Sequence, residues 1–103
     1  MTALDTLQEA LEETTAVAAD YQVPEHRVRV HEERFRETAA RHGFLPGAMQ
    51  RTILDVAAQH HAECDREHCR TCDTIRHGLT TTLAALRVAV AAERGPRLVR
   101  KAS

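Results

Sequence analysis

Thirteen consecutive residues, His60-His61-Ala62-Glu63-Cys64-Asp65-Arg66-Glu67-His68-Cys69-Arg70-Thr71-Cys72, hold all three cysteines of the chain and three of its seven histidines. Their spacing is H-x3-C-x4-C-x2-C, a donor set that suits one tetrahedral Zn2+. His60 and Cys64 stand four residues apart, so on a helix they lie one above the other on a single face and reach one point without strain. Cys69 and Cys72 form a C-x-x-C pair, at which a tight turn aims two sulfurs, and often two backbone N–H groups, at one ion. Two ligands therefore come from the end of one helix and two from the start of the next. Any fold of this chain has to bring those two ends together.

His61, three residues from Cys64, and His68, in the loop, are rival donors. His60 is preferred because the helix that carries it is apolar at Met49, Ile53, Val56 and Ala57, and a 3.6-residue period sets His60 and Cys64 on that same inward face. Two other readings of the cysteines stand beside the metal. A C-x-x-C pair can be a redox dithiol, and a free cysteine can be a small core residue. No strand precedes the pair, no second C-x-x-C occurs and a helix-spaced His–Cys pair lies just upstream, so metal is the leading expectation. Four good donors close a tetrahedron, and a closed site is structural, whereas a catalytic one keeps a position open for water.

A chain of 103 residues has room for one domain and one modest core. Only three aromatic residues are present, which limits the apolar area that can be buried. A metal site absent from the unfolded chain contributes its binding energy to folding and offsets part of that deficit. The odd cysteine count argues against a disulfide framework, and no signal peptide or long apolar run is visible, so the expected compartment is the cytoplasm and no membrane is involved.

The remainder of the chain reads as helix. Thr2 can cap a first helix with Asp5 three residues on. Leu4, Leu7, Leu11, Thr14, Ala18 and Tyr21 then form its seam, and Asp5, Glu9, Glu12, Glu13 and Asp20 lie on its outer face, a solvated surface with no basic residue before Arg27. Val23-Pro24 breaks this helix and Pro24 suits the first turn of the next. The second seam is Val28, His31, Phe35, Thr38, Ala39 and His42, with Gly43 as C-cap. His31 and His42 are expected to be hydrogen-bonded core or boundary residues, because no cysteine or carboxylate cluster accompanies them. Charges at Glu32, Glu33, Arg34, Arg36 and Glu37 alternate around the helix as on a solvated surface.

A third helix starts at Pro46 or Gly47 and ends near Glu63. A fourth, capped by Asp73 or Thr74, has the face Ile75, Leu79, Thr82, Leu83, Leu86, Ala89 and Val90 and stops before Gly95-Pro96. The expected architecture is all-α, a small four-helix up-down bundle over residues 1–95 with a zinc site at the helix 3–helix 4 corner. Residues 96–103 are expected to be a basic, mobile tail.

From His60-His61-Ala62-Glu63-Cys64 into the cysteines that follow, the chain resembles the zinc-associated anti-sigma domains, small helical proteins whose metal motif is H-x3-C-x2-C at a helix–helix corner. His60 and Cys64 match its first two positions, and Cys69 or Cys72 its third. The resemblance covers the thirteen-residue stretch alone, with a longer second gap, an added C-x-x-C and two preceding helices in place of one. It implies a metal-held helical corner in a protein of transcription regulation that binds a protein partner.

No G-x-S-x-G, P-loop or H-E-x-x-H motif is present, so no enzyme activity is expected. The first expectation is a non-enzymatic, zinc-stabilised helical interaction module, a small regulatory protein that binds another protein and that can form a homodimer through its first two helices. The second is a DNA- or RNA-associated regulator using Arg94, Arg97, Arg100 and Lys101, with Arg66, Arg70 and Arg76 around the metal loop. A net charge of −1 and six acidic but no basic side chains in residues 1–25 weigh against it. The third is a zinc-thiolate redox switch, since oxidation of the thiolates releases the ion.

Overall fold

A computed structural model describes residues 3–42, 47–64 and 69–102. Four helices follow one another in the chain: α1 (Ala3–Asp20), α2 (Glu25–His42), α3 (Gly47–Glu63) and α4 (Arg70–Ala102), with no strand among the described residues. The all-α, four-helix expectation holds.

Helix α4 organises the rest. From Leu79 to Val90 nearly every position is buried, including the consecutive run Thr82, Leu83, Ala84, Ala85 and Leu86. A helix apolar around most of its circumference can take partners on several sides. Helices α1, α2 and α3 all pack against α4, and α1 also packs against α3. Among the described residues α2 lies against α4 and not backbone to backbone beside α1 or α3, so successive helices are not simply paired neighbours. The expected face of α4 was too narrow for this reason: Thr80, Ala84, Ala85 and Val88 are buried as well.

Two apolar clusters make up the core. One joins Tyr21, Leu54, Ala57, Ile75 and Leu79, with Val17, Ile53 and Cys72 packed against it. The other joins Ala18, Val28, Leu83 and Ala84, with Leu11 and Phe35 at its edge. The α1 seam therefore forms as its spacing predicts, with Thr14, Ala18 and Tyr21 buried. Buried Thr14 satisfies its hydroxyl by donating to the Ala10 carbonyl at 2.7 Å. In α3 the inward stripe is rotated from the expected one. Val56 is 45 % exposed, whereas Gln50 and Leu54 are buried. Residues 50, 54 and 57 follow a 4-3 step on one side of the helix, and position 56 falls about 125° away from its centre at 100° per residue. The side chains of Thr38, Ala39, His42 and Met49 and all of Gly43 to Pro46 lie outside the described residues.

Both boundaries of α4 differ from expectation. The helix begins at Arg70, before the predicted caps Asp73 and Thr74. It also continues through Gly95 and Pro96 to Ala102, so the predicted stop at that pair does not end it. Proline removes one amide donor, here the one that would reach the carbonyl of residue 92, yet its fixed φ is compatible with helix. The residues on either side, Ala91 to Arg94 and Arg97 to Ala102, are mostly strong helix formers.

The α1–α2 corner is closed by a Schellman motif. The amide of Val23 donates to the Ala18 carbonyl at 3.0 Å and that of Gln22 to the Ala19 carbonyl at 3.1 Å. Gln22 has φ of 56°, the left-handed conformation that this motif requires. A side chain there costs about 1–2 kcal/mol, part of which glycine would give back through its freer unfolded chain. Gln22→Gly is therefore expected to stabilise the fold by about 0.5–1 kcal/mol. Thermal unfolding at fixed metal loading checks it; an unchanged or lower midpoint would contradict the assignment of strain.

Across the α2–α4 contact, the Arg87 guanidinium pairs in bidentate fashion with Glu25, with Nη2 2.8 Å from Oε1, and reaches Glu32 at 3.1 Å. The Arg87 hydrogen bond holds the Glu25 carboxyl below its ordinary range. Nearby, half-buried His31 meets His77 edge-on with ring centroids 5.8 Å apart. Burial, then the charges of Arg34 and His77, lowers the His31 pKa below its ordinary 6.5. Because the folded value is below the unfolded one, neutral His31 is favoured in the fold, and stability is lost as pH falls through about 6.5. A stability difference between wild type and His31→Gln that narrows or reverses between pH 7.5 and 5 is the expected result, read by denaturant unfolding at each pH.

Candidate metal centre

Helix α3 delivers two of the four predicted ligands. Its partner surface on α4 is fixed by a close approach: a Cβ on Gly78 would sit 2.7 Å from Ile53 Cδ1, so only glycine leaves that room without displacing Ile53. With Ile53 against Gly78 at one level and His60 beside Cys69 at another, α3 and α4 run antiparallel. His60 lies one turn before the end of α3, and Cys64 follows that end with its amide donating to the His60 carbonyl at 2.9 Å.

Helix α4 delivers the other two from its first turn. The Asp73 amide donates to the Cys69 carbonyl at 3.1 Å, so Cys69 occupies the N-cap position. Its Sγ accepts hydrogen bonds from the backbone N–H groups of Cys72 and Thr71, the service an Asp or Thr side chain would otherwise perform. This is why the helix begins earlier than its polar residues suggest. The C-x-x-C pair spans the N-cap and first turn of α4, where orphan amides and the helix dipole both favour negative sulfur.

The four donor atoms of His60, Cys64, Cys69 and Cys72 all lie within 4.8 Å of one another. Cys64 Sγ is 3.6 Å from Cys72 Sγ, and Cys69 Sγ is 3.4 Å from His60 Nε2. A tetrahedral centre with metal–sulfur bonds of about 2.3 Å and a metal–nitrogen bond of about 2.0 Å has S···S edges of about 3.8 Å and S···N edges of about 3.5 Å. These two separations are thus close to the edges of such a tetrahedron. All three cysteines are free and half-buried.

Their thiols differ in acidity. The Cys72 backbone N–H, His60 and the Thr71 backbone N–H pull the Cys69 thiol down to about 6. Desolvation pushes the Cys72 thiol up to about 11, and its neighbours Cys64 and Cys69 add to the shift. Cys69 is then a thiolate at neutral pH and a ready first ligand, while binding of an ion would displace the Cys72 proton.

The structure brings together the four residues that the spacing singled out. The His61 side chain and the whole of His68 lie outside the described residues. Sequence reasoning missed the support behind the ligands. The Tyr21 hydroxyl donates to the Ala57 carbonyl at 2.6 Å, and Arg76 Nε donates to the Tyr21 carbonyl at 2.7 Å. Only the place of Tyr21 at the end of the α1 seam pointed inward; nothing in the sequence announced its partners.

Comparison with known proteins gives no match to a family model, a curated protein or a solved structure. The functional reading rests on the site itself.

Proposed function

We propose that the protein is a non-enzymatic, zinc-stabilised helical interaction module, a small regulatory protein that binds another protein. One Zn2+ is held by His60, Cys64, Cys69 and Cys72 and acts as a structural staple between α3 and α4. The observation that carries this reading is the convergence of one imidazole and three thiols within 4.8 Å of one another, two of the pairs at separations close to tetrahedral edges. Mixed Cys and His donors favour zinc over hard cations, and four protein ligands leave no open position for catalysis. For the partner, the supporting feature is the outer face of α1, where Asp5, Glu9, Glu12, Glu13 and Asp20 are all exposed, a surface suited to a basic partner. A second copy of the chain, meeting it through α1 and α2, is the first partner to look for; Val30 on α2 is 51 % exposed.

Native mass spectrometry with metal analysis tests the staple: one zinc per chain is expected, and full helicity with unchanged melting after chelation would refute it. A pull-down from the source cell tests the partner, and light scattering the second copy.

A DNA- or RNA-associated regulator is the second reading. It is favoured by the helical backbone of α4 through residues 94–102, which places Arg94, Arg97, Arg100 and Lys101 at three- and four-residue spacings. Such a protein neutralises phosphates, so its affinity for duplex DNA falls with salt at a log–log slope of about −0.9 per contact. Sub-micromolar duplex binding at physiological salt that disappears on truncation after Glu93 would place this reading first.

A further inference from the structure

The α1–α2 corner reaches both of the helices that carry the donors through one residue. Tyr21, at the C-cap of α1, is gripped by both helices that carry the ligands. Its hydroxyl donates to the Ala57 carbonyl, one turn before His60 in α3. Its carbonyl accepts from Arg76, one turn after Cys72 in α4. Arg76 continues the chain of contacts, since its Nη1 pairs with Asp73 Oδ1 at 2.6 Å, and the Asp73 amide donates to the Cys69 carbonyl. The Cys72 side chain itself packs against the buried cluster that contains Tyr21 and Ala57.

We propose that Tyr21 is a positioning residue for the metal centre, coupling occupancy of the His60–Cys64–Cys69–Cys72 site to the docking of the α1 corner. The proposal rests on the metal reading above and adds a regulation to it. The separation between α3 and α4 that lets four donors meet is the same separation across which Tyr21 spans from Ala57 to Arg76. Closing the donors on an ion therefore favours the Tyr21 bonds, and the Tyr21 bonds favour the closed donors, because coupling between two sites is reciprocal. Loss of the ion loosens the grip on α1, and with it the placement of the acidic face on that helix. The metal state of the corner becomes legible to a partner that binds α1.

The chain supplies its own probe: Tyr21 is its one tyrosine, and there is no tryptophan. Zn2+ is titrated into the full chain against a chromophoric chelator in wild type, Tyr21→Phe, Arg76→Gln and Val28→Ala, and tyrosine emission is followed in the three proteins that keep Tyr21. Val28 is buried on the α2 side of the core, away from the ligands, and controls for general destabilisation. The expected result is an emission change that saturates at one Zn2+ per chain. Zinc affinity should be about three- to tenfold weaker in Tyr21→Phe, the loss of one net hydrogen bond, and unchanged in Val28→Ala. Arg76→Gln should weaken zinc in the same direction, and it carries the test with the wild-type emission if Tyr21→Phe does not fold. Zinc binding with unchanged emission in wild type and equal affinities in all four proteins would overturn the coupling and leave the metal site standing. A chelator competition that detects no zinc binding in wild type would overturn both, and is distinguishable from the preceding outcome.

Discussion

Stripping zinc with a strong chelator is expected to lower the melting temperature by roughly 15–30 °C. An ion present at a thousandfold its dissociation constant stabilises the folded state by about 4 kcal/mol, and in a domain of this size each kcal/mol moves the midpoint by about 4–8 °C. The effect is large because four donors meet at the α3–α4 corner only in the fold, so the binding energy of the ion they hold is folding energy. Cys69→Ser and Cys72→Ser should each reproduce the metal-free melting curve, and chelator should then have little further effect on those variants. His61→Ala should leave both zinc content and melting unchanged. Loss of zinc in His61→Ala together with its retention in His60→Ala would assign the nitrogen ligand to the wrong histidine.

Leu79→Ala is expected to destabilise the protein by about 3–4 kcal/mol, within the range for emptying a fully buried leucine site. Leu79 is completely buried in α4 and belongs to the cluster formed with Tyr21 of α1, Leu54 and Ala57 of α3, and Ile75. Three helices would face the cavity, so relaxation of one of them cannot fill it. Urea unfolding of metal-saturated protein measures the loss. A change below about 1 kcal/mol would mean that the helices collapse onto the vacated space and that the cluster is less tightly packed than its burial implies.

The four helices were legible because the seams of α1 and α4 repeat at three- and four-residue steps, and the clustering of the four donor residues because His60–Cys64 and Cys69–Cys72 each have a local reason to converge. Three features were not legible. The start of α4 was missed because Cys69 caps the helix with sulfur, a role sequence reasoning gives to Asp73 or Thr74. The continuation past Gly95-Pro96 was missed because breaker residues only weigh against helix and do not forbid it. Val56 was assigned inward because an apolar residue on a helix is read as core until the neighbouring helix fixes the stripe, and here Gly78 and Ile53 fix it on the side of Gln50 and Leu54. The grip of Tyr21 on Ala57 and Arg76 joins residues 36 and 55 positions apart, a distance over which no spacing rule operates.

The position of α4 in the chain has a consequence for the order of events during synthesis. Each apolar cluster takes essential members from α4, Ile75 and Leu79 in one and Leu83 and Ala84 in the other. A nascent chain that has produced α1, α2 and α3 therefore carries three amphipathic helices without the helix against which all three pack. Such a chain exposes its apolar stripes until the last of the four helices has left the ribosome, and folding follows as one step rather than helix by helix. The four-donor cluster has the same timing, because His60 and Cys64 wait for Cys69 and Cys72, the residues that open α4.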